Sequence, residues 1–271
     1  MPTSPSLPSL EAALGMTLVK ASPDRHQLRR SQYRNTYLRD EQDQVIGLHL
    51  GEEIAGRLVL GEAFRHLQLL KIKSSQLSEI VFEVDMPQLD LVDLSECALE
   101  SFILPSGYQS LNILILHHNQ IQDFDLRGES YASLEIVDLS YNPLAKIHLS
   151  SKLPRLGYFY AYGGGLESFS TEQDLPNFQV LELRKSQLRE LYLEHCPRMR
   201  RLDLRDLQLE EFPSDSIHKL PALKTLTLKG NPIQNIPREI FDQDENLTWV
   251  DVKNHFLAIE KQGAVRNKEV K

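Results

Sequence analysis

Apolar residues along this chain fall in short bursts of the form apolar-x-x-apolar-x-apolar, and the bursts recur at a nearly constant interval. The stretch Leu134 to Leu144, LEIVDLSYNPL, shows the whole unit. It has leucine or valine at the first, fourth and sixth places, asparagine at the ninth and leucine at the eleventh. Nine further windows repeat it, so that first positions fall at Val45, Leu67, Leu89, Leu111, Leu134, Leu156, Phe178, Met199, Leu223 and Leu247. Successive intervals are 22, 22, 22, 23, 22, 22, 21, 24 and 24 residues. Strand side chains alternate between two faces, so the fourth and sixth places point one way and the third, fifth and seventh the other. Each burst therefore predicts one short strand, entered by a bend at the first place and left by a turn that brings the eleventh back inside. Self-similarity at a fixed interval predicts a solenoid in which each unit packs only on its neighbours. Ten strands then stack in parallel at about 4.8 Å, and each coil buries about five apolar side chains, each contributing roughly 1.5–3 kcal/mol when fully buried.

The spacing L-x-x-L-x-L-x-x-N-x-L is that of a leucine-rich repeat, and the chain resembles that family from about Val45 to Leu257. The resemblance implies an α/β solenoid, a horseshoe with a parallel β-sheet of about ten strands on its concave face. Residues 1–44 are expected to form an N-terminal arm and cap, 45–257 the solenoid, and 258–271 a C-terminal cap and tail. In the cap, Ser9 reads as a helix N-cap and Gly15 as its stop. Thr36 to Arg39 and Val45 to Leu50, separated by the polar DEQDQ, read as a β-hairpin leading into the first repeat. The ninth place is asparagine at Asn119, Asn142 and Asn231, where it can bond backbone groups of the turn and of the next coil. Ser75, Cys97, Gly164, Ser186, Leu207 and His255 replace it elsewhere, which predicts an irregular ladder, looser near Gly164 and Leu207. The return segments FPSDSIHKLPALKTL and IPREIFDQDENLTWV predict a 3₁₀ or short helical turn.

Composition narrows the function class. The formal net charge is -8, from 38 acidic and 30 basic residues, which argues against nucleic acid as the main ligand. Two cysteines, Cys97 and Cys196, exclude a disulfide scaffold and point to a reducing, cytoplasmic home. The first residues lack the basic n-region of a signal peptide, and no apolar run reaches the length of a membrane span.

Function in a solenoid is sought on the outward strand positions. The third place is apolar in six consecutive coils, Leu69, Leu91, Ile113, Ile136, Tyr158 and Val180, and a contiguous apolar stripe on an exposed face marks a protein-interaction surface. The N-terminal cap, the return chain or a second copy covering part of that stripe is the competing explanation. In the C-terminal half, acidic fifth places (Glu182, Asp203, Asp251) lie beside basic seventh places (Arg184, Arg205, Lys229, Lys253), a pattern that mutual neutralisation explains ahead of a dedicated charged-ligand site. The central coils bring Tyr158, Tyr160 and Tyr162 beside His117, His118 and Tyr141, and tyrosine is enriched at interface hot spots. The candidate partner-binding residues are Ile113, Ile115, His117, Ile136, Asp138, Tyr141, Tyr158, Tyr160, Tyr162, Val180, Glu182, Arg184 and Trp249. His117 and His118, adjacent on a strand, are expected to point in different directions.

No Walker loop, GxSxG elbow or HExxH motif is present, and no spacing of Cys, His or acid defines a metal site or a triad. The expected role is a non-enzymatic scaffold without cofactor, binding a partner protein on its concave face. The start, LEAALGMTLV with YLRDEQDQVIGLHL, and the end, AIEKQGAVR, are similar to segments bounding the repeats of bacterial proteins that include Roco GTPases. That similarity implies a regulatory sensor domain of a larger signalling enzyme as the alternative. A delivered effector or inhibitor would use the same face.

Overall fold

The computed structural model describes residues 14, 18–20, 35–51, 54–126, 129–235, 237, 249–252 and 255–257, of which 249–252 and 255–257 are described by backbone alone. Ten repeat strands stack in parallel at the places the hydrophobic interval marks. They are Val45–Leu50, Leu69–Ile72, Leu91–Asp93, Ile113–Ile115, Ile136–Asp138, Tyr158–Tyr160, Val180–Glu182, Arg201–Asp203, Thr225–Thr227 and Trp249–Val252. Their register aligns the third places in one row, running Gly47, Leu69, Leu91, Ile113, Ile136, Tyr158, Val180, Arg201, Thr225, Trp249. First, fourth and sixth places are buried in the described coils, and one apolar core runs without a break from Leu18 to Ile233.

The direction reverses at both ends. Thr36–Arg39 pairs antiparallel with Val45–Leu50, with a bulge between Leu38 and Arg39, which is the expected hairpin. Val19–Lys20 pairs parallel outside it and completes a 13-stranded sheet with the last strand, His255–Leu257. That last strand runs antiparallel to Trp249–Val252, so the tenth window turns back instead of opening a further return limb. Of the expected N-terminal helix, Leu14 is helical and packs on the core. The rest of that helix, the segment IPREIFDQDENLTWV up to Thr248 apart from Pro237, and residues 258–271 lie outside the described residues.

The return limbs are richer in strand than an α/β solenoid suggests. Ala55–Leu60 pairs with Gln76–Phe82, and Ser101–Leu104 with Asp123–Leu126. Lys146–Leu149, Ser168–Thr171 and Glu190–Tyr192 form a three-stranded ladder. Short runs such as SFIL, KIHL and SFST alternate outward and inward, placing Phe102, Ile147 and Phe169 in the core. That two-residue period favours strand over helix. Phe159 of the main sheet meets Phe169 of the return wall edge to face at 5.4 Å, closing one coil. The expected helical turn is found at Ser214–Ile217. Both cysteines are buried; burial pushes their thiols up, Cys196 to about 12, as fits two inert core residues.

The ninth-place asparagines reach backward. Asn142 Nδ2 donates to Leu139 O at 2.9 Å in its own turn and to Leu116 O at 2.9 Å in the preceding coil, and its Oδ1 accepts from Ile121 N at 3.0 Å. Asn119 and Asn231 make the equivalent three bonds. The bond within the turn is as the sequence suggests; the others run to the preceding coil and not to the next, where they meet backbone groups otherwise left unpaired. Gly164 and Leu207 are not loose points either. A Cβ on Gly164 would stand 2.1 Å from the carbonyl oxygen of Asn142, so the backbones are in close contact, and Leu207 is fully buried.

A candidate interface on the outward face of the main sheet

The outward face is built by the same register. Ile113, Ile136, Tyr158 and Val180 form one row, and Ile115, Asp138, Tyr160 and Glu182 the next, on four adjacent strands. All eight are half-buried. His117, Tyr162 and Arg184 follow at the seventh places. Twelve of the thirteen candidate residues therefore share one contiguous patch. Trp249 stands apart, three strands beyond Val180 in the register.

Upstream, part of the stripe is covered by the cap. Leu38 of the hairpin and Leu69 are 2% and 4% exposed and pack together, with Ile46 and Leu91 against them. Gly47 lies between Leu38 and Leu69 in the register, and its missing side chain lets the two leucines meet. The uncovered stripe begins at Leu91.

The eighth place of every described coil holds a left-handed residue: Ser74, Glu96, His118, Tyr141, Gly163, Lys185, Asp206 and Gly230, with φ between 51° and 80°. In each coil from Ser74 to Asp206 its N–H donates to the seventh-place carbonyl of the following coil, for example Tyr141 N to Tyr162 O at 2.7 Å and His118 N to Ser140 O at 2.9 Å. This ladder holds a conformation that costs an L-residue about 1–2 kcal/mol. It also overturns the expected divergence of His117 and His118. The left-handed turn swings His118 back over its neighbour, so that the two Nδ1 atoms are 2.9 Å apart and the rings meet edge to face.

From there a chain of ring contacts crosses four coils of the face. His118 stacks on Tyr141 at 4.2 Å, Tyr141 meets Tyr162 edge to face at 5.4 Å, and the Arg184 guanidinium lies over the Tyr162 ring at 4.0 Å. Arg184 Nε is buried without a hydrogen bond and faces Glu182 at 3.6 Å and Asp203 at 3.8 Å. Arg201 reaches Glu182 at 3.5 Å, and Arg205 Nε binds Asp203 Oδ1 at 2.8 Å. The acidic and basic columns of the C-terminal coils thus neutralise one another, as the alternation suggests. Tyr160 sits in the register between Asp138 and Glu182; burial first, then the charges of Glu182 and Asp138, raises its phenol above the usual range. It stays a protonated donor at neutral pH.

Tyr141 has its place because Gly163 has no side chain: a Cβ there would lie 2.4 Å from the Tyr141 ring. Arg201, Asp203 and Arg205 join the face although they are not among the thirteen candidates; their third, fifth and seventh places are outward-facing by rule. His118 belongs to the aromatic group that the sequence marks, but nothing in its sequence marks the left-handed turn that stacks it on Tyr141.

Among the described residues no group of three or more His, Cys, Asp or Glu is arranged to hold a metal ion, and no helix is long and apolar enough to cross a membrane. No family model matches the chain. It is 29% identical over 217 residues to a Roc-COR-CHAT protease of an unknown prokaryotic organism, a match covering 79% of this chain and 18% of that protein. A Roc-COR-CHAT protease of Runella zeae is 35% identical over 88 residues, 32% of this chain and 10% of that protein. Chaoptin of Drosophila melanogaster is 28% identical over 208 residues, covering 71% and 15%. The chain thus spans less than a fifth of the length of each of these relatives. Its repeat interval, its stacked parallel strands and these similarities agree with the repeat and the fold of the leucine-rich-repeat family.

Proposed function

We propose that the chain is a recognition module, without catalysis of its own, that captures a partner protein on the outward, concave face of its main sheet. The observation that carries this reading is the patch of half-buried isoleucine and tyrosine from Ile113 to Glu182, edged by the chain of rings from His118 to Tyr162. Exposed apolar area of this kind, rimmed by polar groups, is what a protein interface buries. Tyrosines already held by neighbours lose little entropy on binding.

The test is capture from a lysate of the source cells, quantified by mass spectrometry, with the wild-type chain and three variants. Ile136→Asp and Tyr160→Ala alter the face, while Tyr192→Ala alters an exposed residue of the return wall. All three are expected to melt within about 2 °C of wild type, because none removes a fully buried group. The partner is expected to be lost from the first two and kept by the third. Loss with Tyr192→Ala and retention with the other two would move the interface to the return wall.

A second reading has its own observation. Similarity to Roc-COR-CHAT proteases extends over 79% of this chain but 18% of the relative, which is the relation of a sensor segment to a larger signalling protein. A native reading frame that runs past Lys271 into a GxxxxGK[ST] loop supports it; a stop codon after Lys271 removes it.

A further inference from the structure

Of the fifth-place aspartates, the three whose side chains are described do the same structural task. Asp93, Asp138 and Asp203 each lend Oδ1 to the backbone N–H two residues on, at Ser95 (3.2 Å), Ser140 (2.9 Å) and Arg205 (3.2 Å), closing the end of the strand. They differ in how their charge is met. Asp93 also accepts from the Ser95 hydroxyl at 2.6 Å and faces Lys73 at 4.0 Å. Asp203 is held by Arg205 at 2.8 Å and 3.1 Å and faces Arg184 at 3.8 Å. Glu182, one strand beyond Tyr160, has Arg184 and Arg201. Asp138 has the Ser140 N–H and nothing else: among the described residues no cation faces it and its Oδ2 accepts no hydrogen bond. Its neighbours in the register are Ile115 and Tyr160, neither of which can supply a positive charge. Its charge is therefore met by one backbone N–H alone, and it stands at the centre of the patch described above.

We propose that Asp138 is a socket for a basic side chain, Lys or Arg, of the bound protein, with Tyr160 as its aromatic wall. The surface already shows the arrangement two coils on, where the Arg184 guanidinium lies over Tyr162 and faces the carboxylates of Glu182 and Asp203. At Asp138 the carboxylate and the ring are present, and the cation is the partner's to bring. A cation over a tyrosine face and beside a carboxylate is favoured by both. The inference rests on the reading of this face as a protein interface, and it adds the chemistry of the anchor.

The experiment is a display selection of short random peptides on the intact chain, with the recovered peptides then measured against variants. Asp138→Asn keeps the Oδ1 acceptor for Ser140 and removes the charge, so the fold is retained. Recovered peptides are expected to share a Lys or Arg, and to bind Asp138→Asn at least about tenfold more weakly. Replacing that basic residue by Met is expected to weaken binding to the wild-type chain by a similar factor, and to cost little further against Asp138→Asn. Peptides displaced by Ile136→Asp but indifferent to Asp138→Asn would overturn the socket and leave the interface standing. Recovery of no peptide that is sensitive to Ile136→Asp would count against both.

Discussion

Gly164→Ala is expected to unfold the middle of the solenoid, at a cost of at least about 3 kcal/mol. The ninth place here carries no side chain because there is nowhere to put one: the Cβ would meet Asn142 O at 2.1 Å. A flexible side chain could give way, but a backbone carbonyl in this position cannot. The chain beside it is pinned by Tyr141 N to Tyr162 O at 2.7 Å, and by the Asn142 side chain to the coil behind. At roughly 2–4 °C per kcal/mol for a chain of this size, the melting temperature should fall by about 6–12 °C. Gly165→Ala is the matched control, since its nearest contact is 3.8 Å, from Leu144 O, and it should melt close to wild type. Coils interact only with neighbours, so hydrogen exchange should show protection lost first in the coils flanking Gly164 and retained furthest from it. An alanine variant with wild-type melting would mean that the two turns can separate without loss.

Asn142→Ala is expected to cost about 3–5 kcal/mol, read as a loss of thermal or denaturant stability. The substitution strands Leu139 O and Ile121 N, both buried, while Leu116 O keeps the Asn119 side chain at 2.9 Å; each unmet group costs about 1–3 kcal/mol, and the chain also loses the Asn142 bond that ties its turn to the coil behind. Asn142→Asp separates hydrogen bonding from size. It preserves the acceptor for Ile121 N–H but turns an amide that donates to two carbonyls into a carboxylate that repels them, so it should be no better than alanine. Asn142→Ser should fall between, because Ser186 at the same place keeps one bond of this kind, to Leu183 O at 2.8 Å. If alanine and wild type unfold together, the asparagine ladder is ornament and the core alone holds the coils in register.

The parts of this fold legible in the sequence are those decided by hydrophobic spacing. Every described first-place residue from Val45 to Leu223 is buried, because an interval of 21 to 24 residues leaves one way to put all of them inside. The third, fifth and seventh places face outward for the same reason, which is how Ile136, Asp138 and Tyr160 could be placed on one surface before any contact was known. The left-handed eighth place was not legible. Six of its eight residues are not glycine, so the usual marker of positive φ is missing, and the conformation is imposed by a hydrogen bond to a coil some 22 residues away. The meeting of His117 with His118 and the stacking of His118 on Tyr141 follow from that turn and were hidden with it. Strand in the return wall was only weakly marked, because runs as short as SFIL or ELY are too brief for periodicity to separate strand from an irregular limb. The charge on Asp138 was visible but its lack of a counter-ion was not, since that is a comparison with Asp93 and Asp203 in three dimensions.

The two glycines of the eighth column have a further consequence for how such a chain can vary. Six other residues take the same turn, so glycine is not required there for its φ. Both glycines instead lie beneath the side chain of the coil before: Tyr141 leans over Gly163, and Asp206 Oδ1 would stand 2.2 Å from a Cβ at Gly230. The column therefore behaves as a row of seats in which an occupant that leans forward empties the next one. In related chains a tyrosine or aspartate that leans over the next coil, as Tyr141 and Asp206 do, should travel with a glycine one repeat later. Anyone redesigning this surface must change those two positions together.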